Sequence, residues 1–328
     1  MDKILIIRMS SLGDIIHTLP AFAALRRNFP AAHIAWVVEK KGKDILDFVP
    51  GIDEMIVVGS PGWRKKLRNP GQSAFDFQGL LKSGLIARIS GARKRFGFNR
   101  KNLKEPLASL FYTDRLEELA ETGHVIEKNL RLLRLAGIHE DKFEFPLDIP
   151  EALRLSVKGK IAPSLGGAQG KLALFNVGAA WPTKRWFAES WIALLNDLKN
   201  EAGTPLLLWG TPEEETIARR VSRETGVPIA PFLTIQELLA LVKASALVVS
   251  GDTFVLQAAC ALAVPVVGIF GPTTPQRNGP FHSRDKFVYH KIACGPCYKR
   301  SCDSLECLKL VTAGQVAAAI RKILEENA

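Results

Sequence analysis

A carboxylate stands at the tip of a glycine turn close to the first residue of the sequence. Asp14 ends the segment Ser10-Ser11-Leu12-Gly13-Asp14, which follows the bulky apolar run at 4–7. The run predicts a buried strand, and the residues after the turn predict a helix. A carboxylate held there can take a proton from a reacting hydroxyl group. It can equally be an ordinary acid in the first turn of a helix, which stabilises the helix by a fraction of a kcal/mol.

Three loops in the second half of the chain carry residues suited to a phosphate-bearing ligand. They are 178–186, 209–215 and 250–253. In the first loop the small residues Ala179 and Ala180 let a ligand approach the backbone, and Lys184 complements phosphate charge. In the third, free N–H groups at a helix start bind anions unless Asp252 or Thr253 caps them. The acids of the second loop are typical of a helix start. Three such loops at the strand ends of one sheet predict a nucleotide site.

Four of the five cysteines lie close together near the C-terminus, and they are Cys294, Cys297, Cys302 and Cys307. The spacing C-x2-C-x4-C-x4-C allows four thiolates to surround one Zn or Fe ion. Such a site would be structural and would hold the loop before the final helix. Clustering in a cytosolic protein favours a metal over disulfides. Reduced thiols or disulfides in a compact loop are the alternative.

Alternating strand and helix patterns must position these residues. In the first half we predict strands at 3–8, 33–39, 54–59 and 93–98, and helices at 14–28, 43–48, 76–90 (after an extended start) and 115–136. In the second half we predict strands at 171–178, 205–210, 246–251 and 265–271, and helices at 187–200, 213–225, 234–243, 253–263 and 314–327. This rhythm predicts two doubly wound parallel sheets. Gly, Pro and Ser accumulate at 156–170, which predicts a linker between two domains.

Composition sets the outer limits of the interpretation. The 328 residues suffice for two domains, and 47% of them are hydrophobic, so each domain can bury a core. No apolar run reaches about 18 residues, so we expect no transmembrane helix. The first residues begin a strand rather than a signal peptide, which predicts a cytoplasmic protein. The net charge of +11 favours an anionic partner, such as nucleic acid, a phosphorylated substrate or an acidic membrane surface, with simple solubility as the alternative.

Seven segments together resemble one enzyme family, and they are SSLGDIIHTLPA, DFQGLLKSGL, KEPLASLFY, TKRW, WGTPEEE, SGDT and GIFGPTTP. The chain resembles, almost end to end, the ADP-heptose lipopolysaccharide heptosyltransferases of glycosyltransferase family 9. DFQGLLKS and EPLASLFY are most similar to the heptosyltransferase I group, which adds the first heptose to the Kdo region of lipid A. The resemblance implies the α/β GT-B fold, in which two Rossmann-like, doubly wound parallel-sheet domains face a cleft. We therefore expect an acceptor domain at 1–160 and a nucleotide-sugar domain at 161–328, whose final helix is a candidate to pack back on the first.

The resemblance also implies an inverting reaction. Asp14 would be the catalytic base that deprotonates the acceptor hydroxyl during an in-line displacement of ADP. The implied donor-binding residues are Lys184, Glu214, Asp252, Thr253, Ala179 and Ala180. Lys184 would hold the phosphates, Thr253 and its helix N-terminus would add donors, and Glu214 would accept from the ribose. No cofactor is then expected for catalysis, because a lysine and a helix terminus do the work of Mg²⁺.

On the acceptor side, the residues implied by the resemblance are Ser10, Ser11, Arg64, Lys65, Lys82, Lys104 and His124. Lipid A phosphates and Kdo carboxylates need Arg and Lys partners, so the chemistry agrees. The segment 63–68 is predicted to be an exposed basic loop, and anionic lipids attract such segments by about 1 kcal/mol per cation. We therefore expect peripheral association with the cytoplasmic face of the inner membrane. An ordinary solvated charge run and a structural His124 are the alternatives.

The donor site departs from the family at two places. Family members commonly show Asp-Thr-Gly-x-x-His where this chain has Asp252-Thr253-Phe254-Val255-Leu256-Gln257. Phe254 crowds the backbone, and Gln257 offers only a neutral donor. Hydroxyl residues are also frequent in the family at the positions of Ala179 and Ala180. A second hypothesis is therefore a family 9 enzyme with another donor sugar or acceptor, including a heptosyltransferase II-like one. A basic nucleic-acid-binding protein is disfavoured, because the chain lacks a stripe of interleaved aromatic and basic residues, so we expect no nucleic-acid partner.

Overall fold

A computed structural model describes residues 1–68, 72–118, 123–168, 170–199, 201–282 and 284–326. The chain divides into two compact units, 1–148 and 149–328. Each unit is built around one parallel sheet with helices packed on it. None of the helices that the structure describes combines the length and the hydrophobicity that a transmembrane span requires.

The first unit contains a six-stranded sheet in the order β3-β2-β1-β4-β5-β6. Its strands are β1 Lys3–Ile7, β2 His33–Val38, β3 Glu54–Val57, β4 Ser73–Asp76, β5 Lys94–Gly97 and β6 Asp114–Arg115. Its helices are α1 Leu12–Ile16, α2 Leu19–Asn28, α3 Lys40–Leu46, α4 Trp63–Leu67, α5 Leu81–Ile89 and α6 Val125–Leu132, with 3₁₀ helices at Arg100–Asn102, Pro106–Phe111 and Leu133–Ala136. All the strand pairs are parallel, so the carboxyl ends of β1, β2 and β4 meet at one edge.

The second unit contains a five-stranded parallel sheet in the order β11-β10-β9-β7-β8. Its strands are β7 Leu172–Asn176, β8 Thr204–Leu208, β9 Leu247–Gly251, β10 Val266–Phe270 and β11 Lys286–Tyr289. Its helices are α7 Glu151–Leu165, α8 Ala188–Leu198, α9 Pro212–Thr225, α10 Ile235–Lys243, α11 Phe254–Ala261, α12 Pro275–Asn278, α13 Glu306–Lys309 and α14 Ala313–Glu326, with a 3₁₀ helix at Pro182–Lys184. The loops after β7, β8 and β9 therefore leave the sheet at the same edge.

Strands covered on both faces explain why the apolar runs predicted the sheets well. Every residue of β7, β9 and β10 is buried, as are the last four residues of β1. Parallel strands with helices on both faces select continuous apolar sequence rather than alternation. The helix α14 packs on α8, β10 and β11 of its own unit, and its predicted packing on the first unit stays a prediction.

Several predicted elements differ from the observed ones. The helix predicted at 14–28 begins at Leu12 and is interrupted between α1 and α2. The helix predicted at 43–48 spans Lys40–Leu46. The helix predicted at 115–136 is wrong at its start, where residues 114–115 form β6, and right over α6; residues 119–122 of that range lie outside the described residues.

The predicted linker 156–170 is also different, because most of it belongs to α7. Val157 and Ile161 are buried on this helix, which packs against α10, and Lys160 forms an ion pair with Glu237 at 2.8 Å. These tertiary contacts outweigh the poor helix propensity of Gly159 and Pro163. The division between the units therefore falls at 148/149, before the predicted boundary at 160/161.

Candidate active site

The carboxylate of Asp14 lies at the carboxyl end of β1, in the first turn of α1. Its Oδ2 accepts hydrogen bonds from the backbone N–H of Ser11 at 3.2 Å and from the Ser11 hydroxyl at 2.9 Å. The side chain thus closes the turn that the sequence places after the strand. Asp14 is partly exposed, whereas Ile15 and Ile16 behind it are fully buried. This arrangement fits both predicted roles, since an oxygen that anchors the turn leaves the other oxygen for a substrate proton.

The surroundings of Asp14 keep its carboxylate ionised. Burial alone raises the pKa of Asp14, but the electrostatic influence of the Arg8 guanidinium, with that of the His17 ring, and the hydrogen bonds from Ser11 outweigh it. The pKa of Asp14 therefore lies below the ordinary value of an aspartate. The carboxylate carries its charge throughout the neutral range, which a proton acceptor requires.

Arg8 was not among the residues predicted from the sequence, although it directly follows the apolar run of β1. It is buried, with its Nε donating to Thr18 Oγ1 at 3.2 Å. The Thr18 hydroxyl in turn donates to the backbone carbonyl of Asp14 at 2.8 Å. The Arg8 carbonyl accepts from the Trp36 indole N–H at 3.1 Å. A buried cation is thus fixed beside the carboxylate. The signal available in the sequence was a basic residue directly after the apolar run at 4–7.

A second missed residue, Gln78, holds the same loop from the neighbouring strand. Its Oε1 accepts the backbone N–H of the buried Met9 at 2.8 Å, one residue before Ser10. Gln78 is itself placed by Asp76, whose Oδ1 accepts the N–H groups of Gln78 and Gly79. Gly79 adopts a φ of +70° there, which favours glycine. The segment DFQG therefore acts as a bracket for the Asp14 loop.

The anchor of this bracket, Asp76, is fully buried. Burial raises the pKa of Asp76 above its ordinary value, although Ser83, the Tyr112 hydroxyl and the two N–H groups all stabilise its charge. The Tyr112 hydroxyl donates to Asp76 Oδ2 at 2.7 Å, and burial raises the pKa of this phenol. Asp76 is therefore a structural carboxylate that sets the geometry of its loop.

Contacts bring two predicted acceptor residues, Lys82 and His124, towards the carboxyl end of β1, and a third, Lys104, lies on the surface. Lys82 on α5 forms an ion pair with Glu39 at 3.1 Å, and the N–H of Glu39 donates to the Met9 carbonyl. His124 caps α6 by accepting the Ile126 N–H at 3.2 Å, and its ring lies 5.8 Å from that of His17. Lys104 is exposed beside Glu105, whose carboxylate accepts the first N–H of α5.

The basic segment 63–68 is a short helix followed by one residue rather than the predicted loop. In α4, Arg64 and Lys65 are exposed, and Arg64 lies over the Trp63 ring at 5.1 Å. Leu67 and Trp63 anchor the helix on the core cluster that also contains Met9. This amphipathic anchoring, which the charge run concealed, is the reason for the helix.

In the second unit, Lys184 is held at the end of β7 by the loop after β9. Its Nζ lies 2.7 Å from Asp252 Oδ2 and 3.2 Å from the Asp252 carbonyl. The ammonium also lies 4.4 Å from the centre of the Trp181 ring. Only 15% of the Lys184 side chain and 7% of the Asp252 side chain are exposed. The predicted meeting of these two loops is therefore observed.

The start of α11 is not capped by the side chain of Thr253. The Thr253 hydroxyl instead lies 2.9 Å from Ser250 Oγ and accepts a hydrogen bond from Asn176 Nδ2 at 3.2 Å. Of the two small residues in the β7 loop, Ala179 is buried and Ala180 is exposed. The backbone at this helix start retains the N–H groups that suit an anion.

Glu214 is a buried carboxylate, 6% exposed, at the start of α9. Its Oε2 accepts the Gly210 N–H at 2.8 Å, and its Oε1 lies 3.8 Å from the guanidinium of Arg185. A Cβ at Gly178 would collide with this carboxylate, so a larger residue there would require the Glu214 side chain to move. All three loops predicted to form the nucleotide site are therefore brought together.

The departure at Gln257 has a structural explanation. The side chain is buried, and its Nε2 donates to the Asn278 carbonyl at 2.7 Å, which ties α11 to α12. The sequence predicted that Gln257 offers a neutral donor to the ligand. The structure directs this amide N–H to the Asn278 carbonyl of the protein itself. Asn278 also donates weakly to Asp252 at 3.4 Å.

The four C-terminal cysteines do not fit the predicted metal site. In the described part of the chain, no three His, Cys, Asp or Glu residues are grouped so that they could hold a metal ion. Cys307 is buried in the core of the second unit, whereas Cys294 and Cys302 are exposed. The Cys302 sulfur accepts the Leu305 N–H, which with Ser304 lowers the pKa of this thiol. All four are free thiols.

The loop that carries the cysteines has another role, which the sequence did not reveal. The Thr183 hydroxyl donates to the Lys299 carbonyl at 2.8 Å, next to Lys184. Arg300 lies 5.1 Å from the centre of the Trp181 ring, the same ring that Lys184 contacts. The loop thus adds a second cation beside Trp181, on the side of the unit where Lys184 lies.

Comparisons with known proteins agree with this geometry. A family model described as glycosyltransferase family 9 (heptosyltransferase) matches residues 63–308. The chain is 29% identical to lipopolysaccharide heptosyltransferase 1 of Pseudomonas aeruginosa over 321 residues, which covers 92% of this chain and 87% of that protein.

Solved structures are similar over nearly the whole chain. Escherichia coli heptosyltransferase WaaC with ADP matches with a TM-score of 0.75 and 24% identity, covering 99% of this chain and all of that one. Escherichia coli ADP-heptose lps heptosyltransferase II matches with a TM-score of 0.80 and 19% identity, over 99% and 100% of the two chains. The predicted GT-B fold class is confirmed. The chain belongs to glycosyltransferase family 9, and it is a glycosyltransferase.

Proposed function

We propose that the protein is an inverting glycosyltransferase that transfers a heptose from ADP-heptose to the Kdo region of the lipopolysaccharide inner core. The observation that carries the proposal is Asp14, an ionised carboxylate at the end of β1 with Arg8 beside it. The name of the Pseudomonas aeruginosa relative and the ADP-bound WaaC structure supply the sugar and nucleotide classes.

Asp14 acts as the general base of the reaction. As the acceptor hydroxyl oxygen attacks the anomeric carbon of the heptose, its proton passes to a carboxylate oxygen of Asp14. The bond between that carbon and the ADP oxygen breaks at the same time, on the opposite face, so the anomeric configuration inverts. Arg8 and the Ser11 hydrogen bonds keep the carboxylate ionised before the attack.

The second unit stabilises the leaving ADP. In this proposal Lys184 turns from Asp252 to the diphosphate, and the N–H groups at the start of α11 share the developing charge. Glu214 accepts a ribose hydroxyl with the oxygen that faces Arg185. The leaving group needs charge stabilisation more than protonation, so these residues suffice without a metal ion.

The acceptor is anionic, and the first unit meets it with cations. We propose that Lys82, Lys104 and the α4 residues Arg64 and Lys65 bind its phosphates and carboxylates, with His124 nearby. Because this acceptor is a lipid, the protein works as a peripheral protein on the cytoplasmic face of the inner membrane. The exposure of these side chains supports the proposal.

A different donor sugar is the second candidate. It is favoured by one observation, namely that Phe254 and Gln257 occupy the first turn of α11, and Gln257 directs its amide N–H to Asn278. The family pattern has a glycine and a histidine there. The phosphate site is therefore built differently at this point.

The test is to incubate the purified protein with ADP-heptose and Kdo-lipid A and to measure the product by mass spectrometry. The proposal expects one heptose mass increment on the acceptor. ADP-glucose and a heptosylated inner core, offered in parallel, distinguish the second candidate and a heptosyltransferase II-like acceptor. If the protein used ADP-glucose or the heptosylated inner core but did not act on ADP-heptose with Kdo-lipid A, the proposed donor or acceptor would be replaced by the one that is used.

A further inference from the structure

Helix α5 carries a row of exposed apolar side chains. Leu81, Leu85 and Ile89 are spaced four residues apart, so they share one face of the helix. They are 41%, 49% and 38% exposed, whereas Ile86 and Ala87 on the opposite face are buried. The helix is thus apolar towards the core and apolar again towards solvent.

The 3₁₀ helix Pro106–Phe111 adds a second row. Leu107 and Leu110 are 63% and 70% exposed. Three residues make one turn of a 3₁₀ helix, so these two side chains lie on the same edge. Neither leucine has a role in the chemistry described above, although Lys104 and Tyr112 of the same segment do.

The two rows lie on elements that pack directly against each other. The two elements are in close contact at Gly84 of α5. A Cβ atom at this position would lie 2.8 Å from the Phe111 ring and 3.2 Å from the Ala108 carbonyl oxygen. The Glu105 carboxylate accepts the Leu81 N–H at 2.7 Å. We refer to Leu81, Leu85, Ile89, Leu107 and Leu110 as the apolar patch.

The patch is concentrated rather than scattered. The other large hydrophobic side chains exposed in the described residues are Leu155, Phe232, Phe287 and Leu310, which lie on separate parts of the second unit. Single exposed side chains of that kind need no explanation. The five patch residues together present on the order of 400–500 Å² of apolar surface, a size at which a patch on a monomer is often functional.

Cations are interleaved with the patch. Lys82 follows Leu81, Arg88 precedes Ile89, and Lys104 precedes Glu105; all three are exposed. Lys82 pairs with Glu39, while in the described ranges no carboxylate lies within ion-pair distance of Arg88 or Lys104. Apolar side chains with basic neighbours suit a binding partner whose surface is both apolar and negatively charged.

We propose that the apolar patch docks the protein on the surface of an anionic lipid bilayer, with the five side chains entering the headgroup region and the cations meeting lipid phosphates. A second copy of the chain fits less well. An isologous dimer would set the same cations against each other, and the patch offers about half of the roughly 800 Å² per partner that a standard interface buries.

This inference deepens the proposed function, on which it rests for the identity of a membrane-borne acceptor. Lys82 and Lys104, proposed to bind that acceptor, are among the cations next to the patch: Lys82 lies between Leu81 and Leu85, and Lys104 precedes Leu107. Docking through the patch would therefore place the acceptor-binding cations at the level of the lipid headgroups.

The test is flotation of the full chain with vesicles of phosphatidylethanolamine and phosphatidylglycerol, without any donor or acceptor. The variant Leu107→Ser/Leu110→Ser removes the two most exposed side chains, and neither is buried, so folding is preserved. Leu155→Ser, at a leucine that is 60% exposed in the second unit, is the matched control. We expect the patch variant to partition at least about tenfold less than the wild type, because the apolar area gained on binding is lost. The control should float like the wild type, and vesicles of phosphatidylcholine alone should bind all three proteins weakly.

Three results would overturn the proposal: no flotation of the wild type, equal flotation of the patch variant, or an equal loss in the Leu155→Ser control. A wild-type dimer that dissociates in the patch variant, measured by sedimentation velocity, would assign the patch to self-association instead. An acyl-free acceptor separates this inference from the proposed function. The patch variant should convert the acyl-free acceptor at the wild-type rate. If neither the wild type nor the patch variant converted it, the proposed function would be wrong, whereas the flotation result would still test the docking proposal.

Discussion

The ion pair between Lys184 and Asp252 gives a prediction in which stability and ligand binding can be measured separately. In Lys184→Met, the side chain keeps its length but loses its charge, and Asp252 loses the partner at 2.7 Å. Asp252 is 7% exposed, and among the described side chains its carboxylate would retain only the long contact with Asn278 at 3.4 Å. An uncompensated buried charge costs about 3–5 kcal/mol, and the partial exposure of the lysine reduces this to roughly 2–3 kcal/mol of unfolding free energy.

The double variant Lys184→Met/Asp252→Asn separates the two roles of the lysine. Because Asn carries no charge, we expect its stability to return to within about 1 kcal/mol of the wild type. ADP binding should not return, since the phosphates still lack their cation; a loss of at least about tenfold in affinity should persist. Urea unfolding measures the first quantity, and titration calorimetry with ADP measures the second.

Two outcomes would refute this reasoning. If Lys184→Met costs the same in the Asp252→Asn background as in the wild type, the pair contributes no coupling energy. If the double variant binds ADP like the wild type, Lys184 supports the loop and does not contact the phosphates.

Three further predictions concern the same two sites. Gln78→Ala should lower the unfolding free energy by about 1–3 kcal/mol and also lower turnover, because the buried Met9 N–H loses its acceptor. Gln78→Glu keeps an acceptor and should retain most of the stability measured by urea unfolding. Wild-type stability and turnover in Gln78→Ala would contradict the role of Gln78 in holding the Asp14 loop. Because the pKa of Asp14 is lowered in the folded state, the contribution of Asp14 to stability is present above the ordinary aspartate pKa and is lost as the pH falls through the lowered value. Arg8→Met should raise the pKa of Asp14 and shift the acidic limb of the kcat/KM profile to higher pH. An acidic limb at the wild-type pH would exclude this electrostatic role of Arg8. Arg300→Ala should weaken ADP binding about three- to tenfold with unfolding unchanged, since the residue is exposed beside Trp181; unchanged calorimetric affinity would remove it from the donor site.

The sequence allowed the sheets to be predicted because their strands are buried on both faces. Apolar runs such as 4–7 and 247–249 have few alternatives to a central parallel strand. The edge strand β11 was not predicted, since Lys286 and the exposed Phe287 give it no continuous apolar run. The helix α7 was hidden by Gly159 and Pro163, whose low propensity is offset by packing on α10.

The candidate site was predictable where chemistry is local to a loop. Asp14, Lys184, Glu214 and Asp252 lie in the loops or first helical turns that follow strands, so the topology brings them to sheet edges. Arg8 and Gln78 were missed because their roles depend on partners far away in sequence; Gln78 reaches Met9 across two neighbouring strands. The cysteine spacing suggested a metal site, but among the described residues no three His, Cys, Asp or Glu side chains are grouped to hold an ion, and Cys307 is buried in the core of the second unit.

The central claim is that Asp14 removes the acceptor proton, and the variant Asp14→Asn tests it most directly. Asparagine keeps an oxygen that can accept from the Ser11 N–H and hydroxyl, so the turn, the melting temperature and ADP binding should be preserved. It cannot take a proton. The measurement is the single-turnover rate of heptose transfer from ADP-heptose, with saturating acceptor, by wild type and variant. The account predicts a loss of about 10²–10⁴-fold in that rate. A variant that transfers heptose at the wild-type rate would show that another group removes the proton.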